Sequence, residues 1–262
     1  MIAIEAGETP PQIGSMIHST IREVTGKKDP YREIKRLHNE QVLGIKRDLE
    51  RLIDESSSPL PDALKLAAMG NLIDMGPERQ WNEVGDIFRD FSKQTPSIFD
   101  YELFENSLET AGKLLYLGDN AGEIVLDTIL VELLRRETNI DITYAVRGGP
   151  VINDATMEDA SLVGMTDMVR VIDTGVDFPG IVPEACSDEF LYYYNSVDII
   201  LSKGQGNYES LSEADRNIFF LLQTKCPVIA NKIGCSVGDI ILKSQYDHMA
   251  SSRGETRPAC EQ

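Results

Sequence analysis

From Leu114 onward the chain switches between short apolar runs and longer segments with apolar residues at helical spacing. The runs are Leu114–Leu117, Ile140–Val146, Val169–Ile172, Val197–Leu201 and Val228–Ala230. The clearest helical segment between them is Glu123–Arg136, where Ile124, Val125, Leu130, Leu133 and Leu134 share a side. Strands this short, separated by helices, read as βαβ units, and βαβ units build a parallel sheet. This alternation dictates an α/β fold and, with it, the place to look for chemistry. In an open parallel sheet, ligands bind beyond the carboxyl ends of the strands.

The residues before this region carry a different pattern. Ile34, Leu37, Ile45, Leu49 and Leu52 predict a helix over Glu33–Glu55, which Ser56-Ser57-Ser58-Pro59-Leu60-Pro61 interrupts. A second helix runs through Leu64, Ala67, Ala68 and Leu72. A third carries Trp81, Val84, Ile87, Phe88 and Phe91, and a fourth runs from Tyr101 to Lys113. No strand-like alternation is visible here. The expected division is a helical part over 1–112, an α/β core over 113–243 and a polar, aperiodic tail over 244–262.

The strand ends concentrate polar residues. After the first run comes Gly118-Asp119-Asn120-Ala121-Gly122-Glu123, and after the second Arg147-Gly148-Gly149-Pro150 with Asn153-Asp154. After the third comes Asp173-Thr174-Gly175, and after the fourth Ser202-Lys203-Gly204-Gln205-Gly206-Asn207. Lys225 precedes the last run. Asp119, Asn120 and Asp154 carry hard oxygen donors one βα unit apart and form a candidate three-ligand site for a divalent cation such as Mg²⁺ or Mn²⁺. Each of these residue types also caps helices, and that reading competes. Lys203 in its Gly-rich turn is a candidate phosphate contact, though the spacing is not that of a Walker A loop. Asn71 and Asp74 are polar residues in an apolar helical stretch that could reach the same cleft. His18, His38 and His248 show no ligand spacing, and no Ser/His/Asp or Cys/His nucleophile set is visible.

Charge limits the partners. The chain has 25 Lys+Arg against 43 Asp+Glu, a formal net charge of −18. A nucleic-acid binder needs a basic footprint, so nucleic acid is not expected as a partner. No apolar stretch is long enough to span a bilayer and the amino end lacks signal-peptide features, so neither membrane nor export is expected. Cys186, Cys226, Cys235 and Cys260 lie far apart without C-x-x-C spacing, which reads as reduced thiols in the cytoplasm.

Taken together, Gly118-Asp119-Asn120-Ala121-Gly122-Glu123, Asn153-Asp154, Asp173-Thr174-Gly175, Lys203-Gly204-Gln205-Gly206-Asn207-Tyr208-Glu209 and Lys225-Cys226 resemble the metal-dependent damage-control phosphatases, catalogued as domain of unknown function eighty-nine. Gly70-Asn71 with Asp74 resembles that family's helical signature, and the resemblance spans about residues 60 to 242. It implies an N-terminal helical subdomain on a Rossmann-like three-layer α/β/α core with a parallel sheet. It further implies Asp119, Asn120 and Asp154 as metal ligands, with Mn²⁺, Mg²⁺, Ni²⁺ or Co²⁺ as the metal. Asp119, Asn120 and Lys225 would be the catalytic set. Glu123, Arg147, Asp173, Lys203, Gly204 and Asn207 would be the substrate-binding set. The implied activity is hydrolysis of phosphomonoesters of sugars or related, sometimes damaged, metabolites, with water or the Asp119 carboxylate as nucleophile. The chain departs from many prokaryotic relatives in having no cysteine before Cys186. Two other readings compete. One is a carboxyl methyltransferase using S-adenosylmethionine, for which no adenosine-binding Gly-rich turn is seen. The other is a non-enzymatic sugar-phosphate- or nucleotide-binding protein.

Overall fold

The strands are apolar on both faces because both faces are covered. In the computed structural model, which describes residues 10–69 and 95–245, seven strands form one sheet in the order β1-β7-β6-β5-β2-β3-β4. They are β1 (Ile98–Phe99), β2 (Lys113–Leu117), β3 (Asp141–Val146), β4 (Arg170–Asp173), β5 (Ile199–Lys203), β6 (Ile218–Gln223) and β7 (Ile240–Ser244). All neighbours pair parallel except β6 and β7.

Successive strand residues point to opposite faces. Leu114, Tyr116, Ile142, Tyr144, Leu201 and Phe219 pack into one buried cluster. That cluster includes residues of α2 (Arg32–Asp54), α3 (Pro59–Ala68) and α5 (Glu123–Glu137). Leu115, Leu117, Ile200, Phe220 and Ile241 pack into the other. Its helical members come from α8 (Asp188–Ser196), α9 (Gln205–Leu211) and α10 (Pro227–Ile233). This is the expected three-layer arrangement. The remaining helices are α1 (Pro10–Thr25), α4 (Tyr101–Thr110), α6 (Met157–Leu162) and α7 (Met165–Met168). Among the described residues no helix is long and apolar enough to cross a membrane.

Several local expectations are corrected. Val228–Ala230 is helical, not a strand. Pro227 stands at the first position of α10, where its missing N–H costs nothing, and Gly234 closes the helix in the left-handed conformation. Ile218–Leu222, an apolar run not singled out from the sequence, lies in β6 and fits a strand buried on both faces. Two further strands were not singled out from the sequence: β1, only two residues long, and β7, which opens with the apolar run Ile240-Ile241-Leu242. The first helix exists, but Ile34 and Leu37 are exposed. Its buried stripe keeps the expected Ile45 and Leu49 and otherwise runs through Lys35, Asn39, Val42 and Ile53. Pro59 begins α3 rather than extending the break. Leu72, the Trp81–Phe91 helix, Asn71 and Asp74 lie outside the described residues.

Candidate active site

The chain order places a ligand site before any side chain is considered. From β2 the connections move outward through β3 to β4, then return to β5 on the other side of β2 and move outward to β6. The reversal opens a crevice beyond the carboxyl ends of β2 and β5. The Asp119-Asn120 turn follows β2, and Lys203-Gly204 ends β5. A cavity here is lined by Asp119, Asn120, Glu123, Asp154, Lys203, Gly204 and Lys225, with Ile152, Pro179, Gln205 and Gln223.

Backbone geometry brings the cation-ligand candidates together. Asn120 and Asp154 form an isolated antiparallel bridge. Ala121 N–H donates to the Asn153 carbonyl at 2.8 Å, and Ala155 N–H donates to the Asp119 carbonyl at 2.8 Å. These bonds lay the turn after β3 alongside the turn after β2. Ile152, in the former turn, has φ +44°, an unusual value for a β-branched residue. Gly204 has φ +80° and ψ 163°, and a Cβ there would fall inside the Asp119 carboxylate.

The carboxylates are crowded and partly paired. Asn120 Nδ2 donates to Asp119 Oδ2 at 3.0 Å and to Glu123 Oε1 at 2.9 Å. Arg147 Nε donates to Asp154 Oδ2 at 2.6 Å, and its Nη2 lies 3.7 Å from Asp119 Oδ1. Burial, then the Glu123 and Asp154 carboxylates, push the Asp119 carboxyl up to about 8 despite Arg147 and Lys203. Burial also raises Asp154, outweighing Arg147. A further positive charge beside such a cluster favours its fully ionised form. Among the described residues no three His, Cys, Asp or Glu side chains group as a metal cluster. The candidate ligand set is therefore two carboxylates and an amide.

Three substrate-contact candidates lie away from the cavity wall. Arg147 and Asn207 are buried, at 3% and 0% exposed. Arg147 Nη2 donates to Asn207 Oδ1 at 3.0 Å, and Asn207 Nδ2 donates to the Lys203 carbonyl at 2.8 Å and the Gly118 carbonyl at 3.3 Å. Together they brace the turns that carry Asp119, Asp154 and Gly204. Asp173 Oδ1 accepts the Gly175 N–H at 2.8 Å within its own turn.

Other contributors were not singled out from the sequence. Asn39 on α2 is fully buried. Its Oδ1 accepts the Gly122 N–H at 2.6 Å, just before α5, where Gly122 itself has φ +81°. Asn39 Nδ2 donates to Asp159 Oδ1 at 2.9 Å. Lys35, one turn earlier, pairs with Asp29 and Asp159. The signal was present as two polar residues, four apart, on the inward stripe of a helix.

Comparison with known proteins shows the family to which the chain belongs. The damage-control phosphatase ARMT1-like domain matches residues 2–241. The chain belongs to that family. A damage-control phosphatase of Pyrococcus horikoshii is 35% identical over 237 residues, covering 88% of this chain and 80% of the relative. One from Archaeoglobus fulgidus is 34% identical over 237 residues, covering 88% and 81%. The crystal structure of a domain-of-unknown-function-89 protein from Pyrococcus horikoshii superposes with a TM-score of 0.82 at 32% identity, covering 88% of this chain and 80% of that one. The ARMT1-like family thus accounts for the mostly parallel sheet and its helical layers.

Proposed function

We infer that this chain is a phosphatase of the damage-control class, and propose that it hydrolyses small phosphomonoesters of sugars or related metabolites with the help of a divalent cation. Family membership supports the hydrolase class. The observation that carries the site assignment is the convergence of Asp119, Asn120, Asp154 and Lys225 on one cavity at the strand-order reversal.

The donor set suits a hard cation. Asn120 spends its Nδ2 on Asp119 and Glu123, and Arg147 engages Asp154 through Oδ2. Asn120 Oδ1 and Asp154 Oδ1 lie outside those bonds, and the crowded Asp119 carboxylate gains from any nearby positive charge. Oxygen donors of this type favour Mg²⁺ and Mn²⁺, with Ni²⁺ and Co²⁺ as further members of the expected set. When bound, the cation supplies charge withdrawal from a phosphoryl oxygen.

The chain's own groups do the rest. Lys225 and Lys203 bring cationic donors to a cavity whose other charged lining residues are Asp119, Glu123 and Asp154, which lets an anionic phosphate enter a protein of net charge −18. The Asn120 amide links the Asp119 and Glu123 carboxylates and fixes their spacing. Preorganised donors around the transferring group are the main source of rate in phosphoryl transfer. Cys186, Cys226 and Cys235 are free thiols, which fits a reducing compartment such as the cytoplasm.

The test is a phosphomonoester panel assayed after metal removal and again with Mn²⁺, Mg²⁺, Ni²⁺ or Co²⁺ restored. Metal-dependent release of orthophosphate is expected, and its loss in Asp119→Ala. A protein that binds orthophosphate tightly yet turns over no phosphomonoester with any metal is a binding protein, and the proposal fails.

A further inference from the structure

Behind Lys203, away from the cavity wall, stands a second buried carboxylate. Asp127 lies one helical turn after Glu123 on α5 and is 0% exposed. Its Oδ1 accepts from the Tyr116 hydroxyl at 2.6 Å and from Lys203 Nζ at 2.9 Å, and its Oδ2 accepts from the Tyr144 hydroxyl at 2.7 Å. Tyr116 and Tyr144 are register partners on β2 and β3, and Lys203 ends β5. Three neighbouring strands therefore each deliver one donor to a single carboxylate.

Burying a carboxylate is costly unless it is paired and hydrogen-bonded. For stability alone, an apolar group of similar size would serve as well or better. This network is not confined to the core. Lys203 Nζ also donates to Glu123 Oε2 at 3.3 Å, Glu123 Oε1 accepts from Asn120, and both Lys203 and Glu123 line the cavity. An ammonium has three N–H groups. Asp127 and Glu123 take two of them.

We propose that Asp127 is a positioning residue for the phosphoryl site: by pinning Lys203 and, through it, Glu123, it fixes the remaining Lys203 N–H for a bound phosphate. The inference rests on the reading of Lys203 as a phosphate contact. It concerns a residue that touches neither substrate nor cation.

The experiment is a double-mutant cycle on the full chain. Asp127→Asn and Lys203→Met are made singly and together. Then kcat and KM are measured with p-nitrophenyl phosphate and Mn²⁺, alongside orthophosphate binding by calorimetry and thermal melts. Asp127→Asn should lower kcat/KM about 10- to 100-fold, as loss of a supporting hydrogen-bond partner typically does at a metal site. The combined variant should fall within roughly twofold of Lys203→Met, because Asp127 acts only through that lysine. Losses that multiply, in activity and in orthophosphate affinity, overturn the proposal. Tyr144→Phe removes one O–H while keeping the ring. It should give a smaller loss that disappears in the Lys203→Met background, and it decides the matter if Asp127→Asn does not fold. An unsubstituted protein that neither hydrolyses nor binds phosphate defeats the functional reading itself and this inference with it. An active protein with multiplying losses defeats this inference alone.

Discussion

Arg147 Nε sits 2.6 Å from Asp154 Oδ2, with the two side chains only 2% and 6% exposed. Asp154 lines the cavity and Arg147 stands behind it. Arg147 holds one face of a candidate cation ligand while its Nη2 reaches Asn207 and approaches Asp119. Arg147→Met would strand Asp154 in a low-dielectric site beside other carboxylates. Removing one partner of such a pair typically costs about 3–5 kcal/mol. Thermal melts should show that loss, and Mn²⁺ affinity measured by calorimetry should fall about 10- to 100-fold. Unchanged Mn²⁺ affinity in a folded variant would mean that Arg147 does not organise the site.

Asp119 trades stability for chemistry. Its carboxyl is pushed up to about 8, mainly by burial and then by Glu123 and Asp154. A carboxyl whose folded value lies above its unfolded value weakens the fold as pH rises from the ordinary carboxylate range through about 8. Asp119→Ala should therefore lose Mn²⁺-dependent hydrolysis, while its metal-free form should melt no lower than the metal-free unsubstituted chain at pH 7. The difference in Tm in its favour should widen between pH 5 and pH 8. A variant that melts progressively lower than its parent as the pH is raised would contradict the crowding described for this carboxylate.

Gly204 meets two demands at once. Its φ of +80° with ψ of 163° is a conformation essentially reserved for glycine, and the Asp119 carboxylate occupies the space a Cβ would need. Gly204→Ala should cost on the order of 1–3 kcal/mol from backbone strain. It should also displace Asp119. A displacement near 1 Å at a reacting centre typically lowers rate about 100-fold, so kcat/KM should drop far more than the fold population does. A melt paired with steady-state kinetics separates the two effects.

How legible these features were depended on where each signal lay. The alternation of short strands and helices beyond Leu114 revealed the parallel sheet, because buried parallel strands are continuous apolar runs. The Asp119-Asn120 turn and Lys203-Gly204 were visible because polar residues and glycines follow directly on such runs. The run at Val228–Ala230 was misleading: three apolar residues suit one turn of a helix as well as a strand, and Pro227 tipped the balance. Arg147 and Asn207 have the chemistry of substrate contacts, and only coordinates show that chemistry spent on neighbouring turns. Asp127 was hidden among the other acidic residues of its helix, Glu123, Glu132 and Glu137, since its partners Tyr116, Tyr144 and Lys203 come from three different strands.

Lys225 supplies the last prediction. It leaves the carboxyl end of β6 on an exposed loop and lines the cavity, and its backbone N–H donates to Gln205 Oε1 at 3.2 Å. That bond ties the lysine's backbone to the start of α9, directly after Gly204. A hydrogen bond to a charged group is worth about 1.5–3 kcal/mol. Lys225→Gln should therefore weaken inhibition by orthophosphate roughly 10- to 100-fold. Because the residue is exposed, the melting temperature should hardly move. Added salt should weaken phosphate inhibition more in the unsubstituted chain than in the variant, since screening acts on the charge the variant lacks. If the inhibition constant and its salt dependence are the same in both proteins, Lys225 does not contact phosphate, and the cationic side of the site rests on Lys203 alone.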